Sequence, residues 1–282
     1  MPDIWGLAAI TTKFTLYLGI LTAAGTVMAT LMFQLRHTRK FSLKFGVLGF
    51  FAAILAFSLQ GANLTGNSHG MIDHEMLSLM WHTSVGTVLI YRLAGLGLLI
   101  TGLFMGRIGL WVSLLGGILA IWSFNQIGHI TGQNTTMLKV VLTFHLAAVA
   151  LWIGILSPLK SLVSDPQTYA LASKVGHRFG LVAIITVPAL IVAGGYMSYA
   201  LIGSFNLLFS TGYGQALITK VILVTVLLGL AAVNKLRFIP DLRSGKPAAA
   251  SQLSKSTTIE WYVFLAIFAV TASLTTNLNL PM

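Results

Sequence analysis

Eight stretches of the chain are almost unbroken by charge: residues 8–34, 43–62, 84–104, 108–127, 139–158, 178–202, 214–236 and 259–277. Each approaches or exceeds the roughly 20 apolar residues that a helix needs to cross the hydrocarbon core. Apolar residues run through them without alternating with polar ones, so they do not read as the strands of a lipid-facing barrel. A helix is the remaining way to satisfy a backbone in lipid. The pattern predicts an all-α membrane protein, an eight-transmembrane-helix bundle forming one integral membrane domain over 1–282. Pro188 is expected to kink the sixth helix. Gly116-Gly117 and Gly194-Gly195 are expected to let neighbouring helices approach closely. Residues 245–254 read as a short loop.

Composition agrees: 56% of residues are hydrophobic and 8% charged, against roughly 25% charged in soluble domains. The net charge of +11 could indicate a nucleic-acid binder, but its placement argues otherwise. Of 17 Lys and Arg, thirteen fall in four segments, at Arg36–Lys44, Arg107, Lys160–Arg178 and Lys235–Lys255. These are alternate connections, as the positive-inside rule requires of cytoplasmic loops. Both termini are then expected outside, with connections 63–83, 128–138 and 203–213. The first apolar run is too long for a cleavable signal. With no Cys, disulfides and thiolate metal sites are excluded, and a metal must be held by His, Met, carboxylate or backbone groups.

Self-comparison aligns Thr83–Leu93 with Thr211–Val221, an offset of 128 residues. Both segments begin a helix descending from the outer face and place a cation, Arg92 or Lys220, six residues after a Gly. Lys13 and Lys139 hold similar places in helices one and five. The expectation is a four-plus-four duplication in parallel orientation, with pseudo-repeats 1–130 and 131–282.

Candidate chemistry concentrates on the outer side. Between residues 69 and 82 lie His69, Met71, Asp73, His74, Glu75, Met76, Met80 and His82. Thioether suits Cu(I), and imidazole suits copper in either state. The same residues also suit an amphipathic helix resting on the bilayer, with Met and Leu as anchors. His129 follows Asn125 by one turn at the outer end of helix four. His145 lies inside helix five with Trp152 two turns beyond. An ionisable group within a span is a functional candidate, although a membrane His can simply bridge helices. Arg92, Lys139 and Lys220 could snorkel to headgroups, the reading preferred for Lys220, or charge an outer vestibule. On the inner side, Asn234 and Glu260 flank the seventh and eighth helices. No phosphate-binding loop or hydrolase motif is present, so the chain does not read as an enzyme.

The order Gly128-His129, His145 through Trp152 to Gly154, Arg178-Phe179, Tyr213-Gly214 through Lys220, Ala232-Val-Asn234-Lys and Thr258-Ile-Glu260-Trp resembles the copper resistance protein D (CopD) family of bacterial inner-membrane proteins. The resemblance runs from about residue 83 to the C-terminus; the first two helices agree mainly in hydropathy. It implies movement of copper between periplasm and cytoplasm, or supply of copper to other proteins. His129, His145, Trp152, Lys220, Asn234 and Glu260 match the family pattern. The outer His/Met loop does not belong to that pattern. Where the family often carries more His before the fifth helix, this chain has only Met137 as a soft ligand. Expected partners are the bilayer, copper as Cu(I) or Cu(II), and a periplasmic copper-binding protein. The leading expectation is capture of copper by the outer loop, a deeper site at His129 and His145, and import. The alternatives are a b-type cytochrome with paired His on haem b, and a purely structural bundle.

Overall fold

The protein is described by a computed structural model covering residues 4–126, 136–202 and 205–276. Its helices are α1 (Ile4–Phe33), α2 (Arg39–Thr65), a short α3 (His74–Trp81), α4 (Ser84–Gly102), α5 (Gly106–Trp122), α6 (Thr136–Leu162), α7 (Tyr169–Ile202), a short α8 (Phe205–Ser210), α9 (Gly212–Val233), α10 (Ile239–Arg243) and α11 (Ala249–Thr276). Eight of the described helical segments, on α1, α2, α4, α5, α6, α7, α9 and α11, are long and apolar enough to cross a membrane. Because successive spans alternate in direction, the 66–83 connection marks one end of the bundle, the His/Met end. The connections rich in Lys and Arg mark the other, the basic end.

All eight predicted spans are present, most begin within four residues of their apolar runs, and two begin nine or ten residues earlier. Helix α7 starts at Tyr169 and α11 at Ala249, so residues 249–254 are helix, not loop. These extra turns carry the exposed Lys174, His177 and Lys255 on one side. On the other they bury Ala172, Val175, Leu253 and Thr257. A helix that leaves the hydrocarbon can solvate half its circumference, and a hydropathy window then reads it as a loop.

Helix α1 is the hub, the most buried of the eight spans, and packs against α2, α5, α6 and α11. Small residues make these approaches possible. A Cβ on Gly19 would stand 2.6 Å from the Gly49 backbone of α2, and one on Gly25 would overlap the Ala150 carbonyl of α6. Gly117 lies against Ala24 and Gly116 against Gly95, as the sequence pattern anticipates. Gly194-Gly195 of α7 does not fit that expectation. A Cβ at Gly195 would meet nothing within 4 Å, and at Gly194 only the His145 imidazole at 3.9 Å. These glycines open space.

The segments aligned at an offset of 128 share local structure. Thr83 and Thr211 each cap a helix through the side-chain oxygen, Thr83 accepting from the Val85 N–H and Thr211 from the Gly214 N–H. Gly86 and Gly214 each abut the carbonyls of the short helix before them, α3 or α8.

Candidate functional site

Thirteen cations are accounted for by topology; Lys13, Arg92, Lys139 and Lys220 are not. Lys13, Arg92 and Lys220 line one cavity of about 880 Å³, together with His145, Tyr17 and Trp152. Each of the three, like His145, lies eight or nine residues into a helix that starts at the His/Met end. At 1.5 Å rise per residue they share a level about 12–14 Å below the helix starts. Lys220, read above as a snorkelling residue, faces this cavity. Lys139 is not among the lining residues; its carbonyl accepts from Thr143 Oγ1.

The cations of this vestibule are unevenly partnered. Lys13 Nζ donates to the Thr275 carbonyl at 2.7 Å. Arg92 donates from Nε to Ser123 Oγ at 3.3 Å, and its guanidinium lies 5.3 Å from the Phe124 ring centre. Lys220 has no hydrogen-bond or ion-pair partner among the described residues, where the one ion pair joins Lys246 and Asp241. Among the described residues no Asp or Glu lines the vestibule. His145 presents a buried Nδ1 without a partner, a donor atom free for a metal ion or a polar ligand.

One wall is a column of rings. Tyr17 stacks on Phe124 at 4.8 Å and on Phe268 at 6.2 Å; Phe268 meets Phe264 at 6.0 Å, and Phe264 meets Trp152 at 6.0 Å. Trp152 is the floor. Beyond it lies a second cavity of about 200 Å³ lined by Asn234 and Glu260, and both cavities share Trp152, Val187 and Leu228. The Trp152 indole N–H donates to Glu260 Oε2 at 3.0 Å, and Asn234 Nδ2 donates to Oε1. Trp152, Asn234 and Glu260 therefore form one unit, although they are far apart in sequence. Glu260 is not at the start of its span: it lies eleven residues into α11, 2% exposed. Asn234 opens a π-helical turn, Asn234–Phe238, that prolongs α9. Such turns recur at functional sites.

At the His/Met end, Asp73 caps α3 by accepting from the Glu75 and Met76 N–H groups, so this carboxylate is engaged in structure. Met80 is 3% exposed, with its methyl against Gly61, and Gly61 abuts Gly70. The segment is thus fastened to α2 by packing. Met71 and Met76 are half-buried, while His69, His74 and His82 are exposed. Among the described residues no three His, Asp or Glu side chains converge as a metal-binding group. His129 lies outside the described residues. Asn125 is buried and donates to Thr143 Oγ1 at 2.6 Å, with its Oδ1 unpaired.

The sequence singled out His145, Trp152, Lys220, Asn234 and Glu260 but not their division between two cavities. It missed Lys13 and Tyr17 as lining residues. The missed signal was Lys13 itself, a cation deep in the first span that no basic loop explains.

Comparison with known proteins adds the family. Residues 1–138 match the family described as copper resistance protein D-like, N-terminal domain, and residues 173–274 match copper resistance protein D. The likeness thus includes the first two helices, contrary to the expectation that these agree mainly in hydropathy. The copper transport protein CutJ of Bacillus subtilis (strain 168) is 28% identical over 158 residues, 55% of this chain and 28% of that protein. The inner membrane protein YebZ of Escherichia coli (strain K12) is 28% identical over 159 residues, 53% of each chain. The match therefore spans about half or less of either relative. No solved structure matches the chain significantly. Neither family description names haem.

Proposed function

The chain belongs to the copper resistance protein D family, and on that premise we propose that it carries copper across the bacterial inner membrane, inward from the His/Met end. The observation that carries this reading is the pair of cavities meeting at Trp152, with an unpartnered imidazole on one side and a buried carboxylate on the other. The basic end is cytoplasmic by the positive-inside rule, which sets both termini in the periplasm.

In this reading the exposed His69, His74 and His82, with the half-buried Met71 and Met76, collect copper, either free or from a periplasmic copper-binding protein. Thioether and imidazole together suit Cu(I). Met80 anchors the segment by packing and stands outside the ligand set. His145 is the deeper site, and His129, outside the described residues, is a candidate second ligand from the sequence alone. Trp152 closes the floor, held in its rotamer by Glu260, and its displacement would give the ion a carboxylate and the Asn234 amide oxygen below. The chain acts as a binding and transport protein rather than as an enzyme.

The test is metal content and an absorption spectrum of detergent-purified protein, wild type beside His145→Ala. Copper retained by the wild type, reduced in the variant, with no Soret band, is the expected result. A haem spectrum abolished in the variant would overturn the copper reading in favour of a cytochrome. Equal copper in both proteins would remove His145 from the pathway.

A further inference from the structure

The vestibule is poorly designed for a bare cation. It is about 880 Å³, within the range of pockets that hold whole organic molecules. Its lining is overwhelmingly apolar and contains three cations, and among the described residues no acid lines it. An ammonium has three donors and a guanidinium five. Lys13 spends one on Thr275, Arg92 one on Ser123, and Lys220 none among the described residues. Cations at membrane depth are expensive unless paired, so this much unspent donor capacity points to an absent anion.

The walls indicate where that anion comes from. Helices α7 and α9 are by far the least buried of the eight spans. Helix α7 packs on α6 and α10, and α9 on α8 and α11; α7 and α9 have at most marginal contact with each other. Between them the vestibule is bordered by Gly194, Gly195 and Ser198 of α7 and by Val221 and Thr225 of α9. At Gly195 there is open space where a side chain would stand. Beside this gap Ile191, Val192, Val221 and Ile222 are exposed apolar side chains, the surface that a spanning helix turns to lipid.

We propose that the vestibule binds one anionic amphiphile taken from the bilayer between α7 and α9, its phosphate or carboxylate held by Lys13, Arg92 and Lys220 and its apolar body along the aromatic wall. The bound anion offsets part of the positive charge that Lys13, Arg92 and Lys220 place in the cavity shared with His145, and so would make the chamber more tolerant of copper if copper passes. The inference rests on the cavity alone and holds whether or not copper does.

The experiment uses the full chain, freed of copper and delipidated in neutral detergent. Binding is read by native mass spectrometry and by the shift in Tm. The probes are palmitoyl-oleoyl-phosphatidylglycerol, its phosphatidylcholine counterpart, oleate and oleyl alcohol. Retention of one phosphatidylglycerol identifies a lipid phosphate, and retention of one oleate identifies a free carboxylate; either supports the proposal. Lys220→Gln should weaken binding about 10-fold or more, the loss of one charge-assisted bond. Lys220→Arg should retain it, and Lys255→Gln, at the exposed basic end, should leave it unchanged. If Lys220→Gln does not fold, Lys13→Gln and Arg92→Gln carry the same expectation. Equal binding of the neutral probes, no binding of either anion, or indifference to all three cation variants would overturn it. Copper flux is scored separately in the same preparations, so failure here and failure of the copper reading are distinguishable.

Discussion

Replacing Trp152 by Phe removes one atom group with a defined partner, the indole N–H that lies 3.0 Å from Glu260 Oε2. Both residues are buried, at 6% and 2% exposure, so water does not readily replace the lost bond. Hydrogen bonds to charged groups contribute about 1.5–3 kcal/mol, and neutral ones about 0.5–1.5 kcal/mol. Glu260→Gln removes the same bond from the other side if the amide turns its NH₂ toward the indole. Each single variant should therefore lose about 1–3 kcal/mol. The double variant should lose less than the sum, with a coupling of about 1–2 kcal/mol, because the bond can be broken only once. Equilibrium unfolding in mixed detergent micelles, scored as a double-mutant cycle, measures this directly. Asn234→Ala is the internal reference, because it leaves the indole bond intact while removing the other partner of Glu260. Additivity of Trp152→Phe and Glu260→Gln within about 0.3 kcal/mol would refute the claim that the two act as one unit.

Four further predictions come from packing and exposure. Gly25→Ala drives a methyl into the Ala150 carbonyl and must separate α1 from α6, which should cost about 1–3 kcal/mol and show as a lowered Tm. Gly194→Leu, placed where only the His145 ring is near, should fold with unaltered Tm yet reduce copper binding by obstructing the vestibule; copper binding equal to wild type would contradict that geometry. Met80→Ala should cost about 2–5 kcal/mol as a core truncation. Met76→Ala should instead change Tm little and weaken Cu(I) binding, measured by competition with a chromophoric chelator.

The spans were legible because lipid imposes one demand, about 20 apolar residues per crossing, and that demand is local in sequence. The ends of α7 and α11 were not legible, because Lys174 and Lys255 are solvated on turns whose opposite faces are buried. The candidate site divides the same way. His145, Trp152 and Glu260 stand out as polar or indole groups in apolar surroundings, so each could be named singly. Their grouping depends on α11 packing against both α6 and α9, which no local pattern encodes. Gly194-Gly195 illustrates the limit: the same dipeptide that closes a helix pair at Gly116-Gly117 borders a void in α7. Composition cannot distinguish the two, since the difference lies in whether a neighbouring helix is present. Met80 and Met76 look alike as i, i+4 ligands, and only the approach of Gly61 commits Met80 to packing.

The most direct test of the account is radioactive copper flux into proteoliposomes holding the purified protein, for the wild type, His145→Ala, Trp152→Ala and the basic-loop control His37→Ala. The account predicts protein-dependent flux that falls at least about tenfold in His145→Ala, the effect of losing about 1.4 kcal/mol or more of ligand interaction. It predicts unchanged flux in His37→Ala, and faster, less metal-selective flux in Trp152→Ala once the two cavities merge. Flux indifferent to both His145 and Trp152 would contradict a copper route through the bundle.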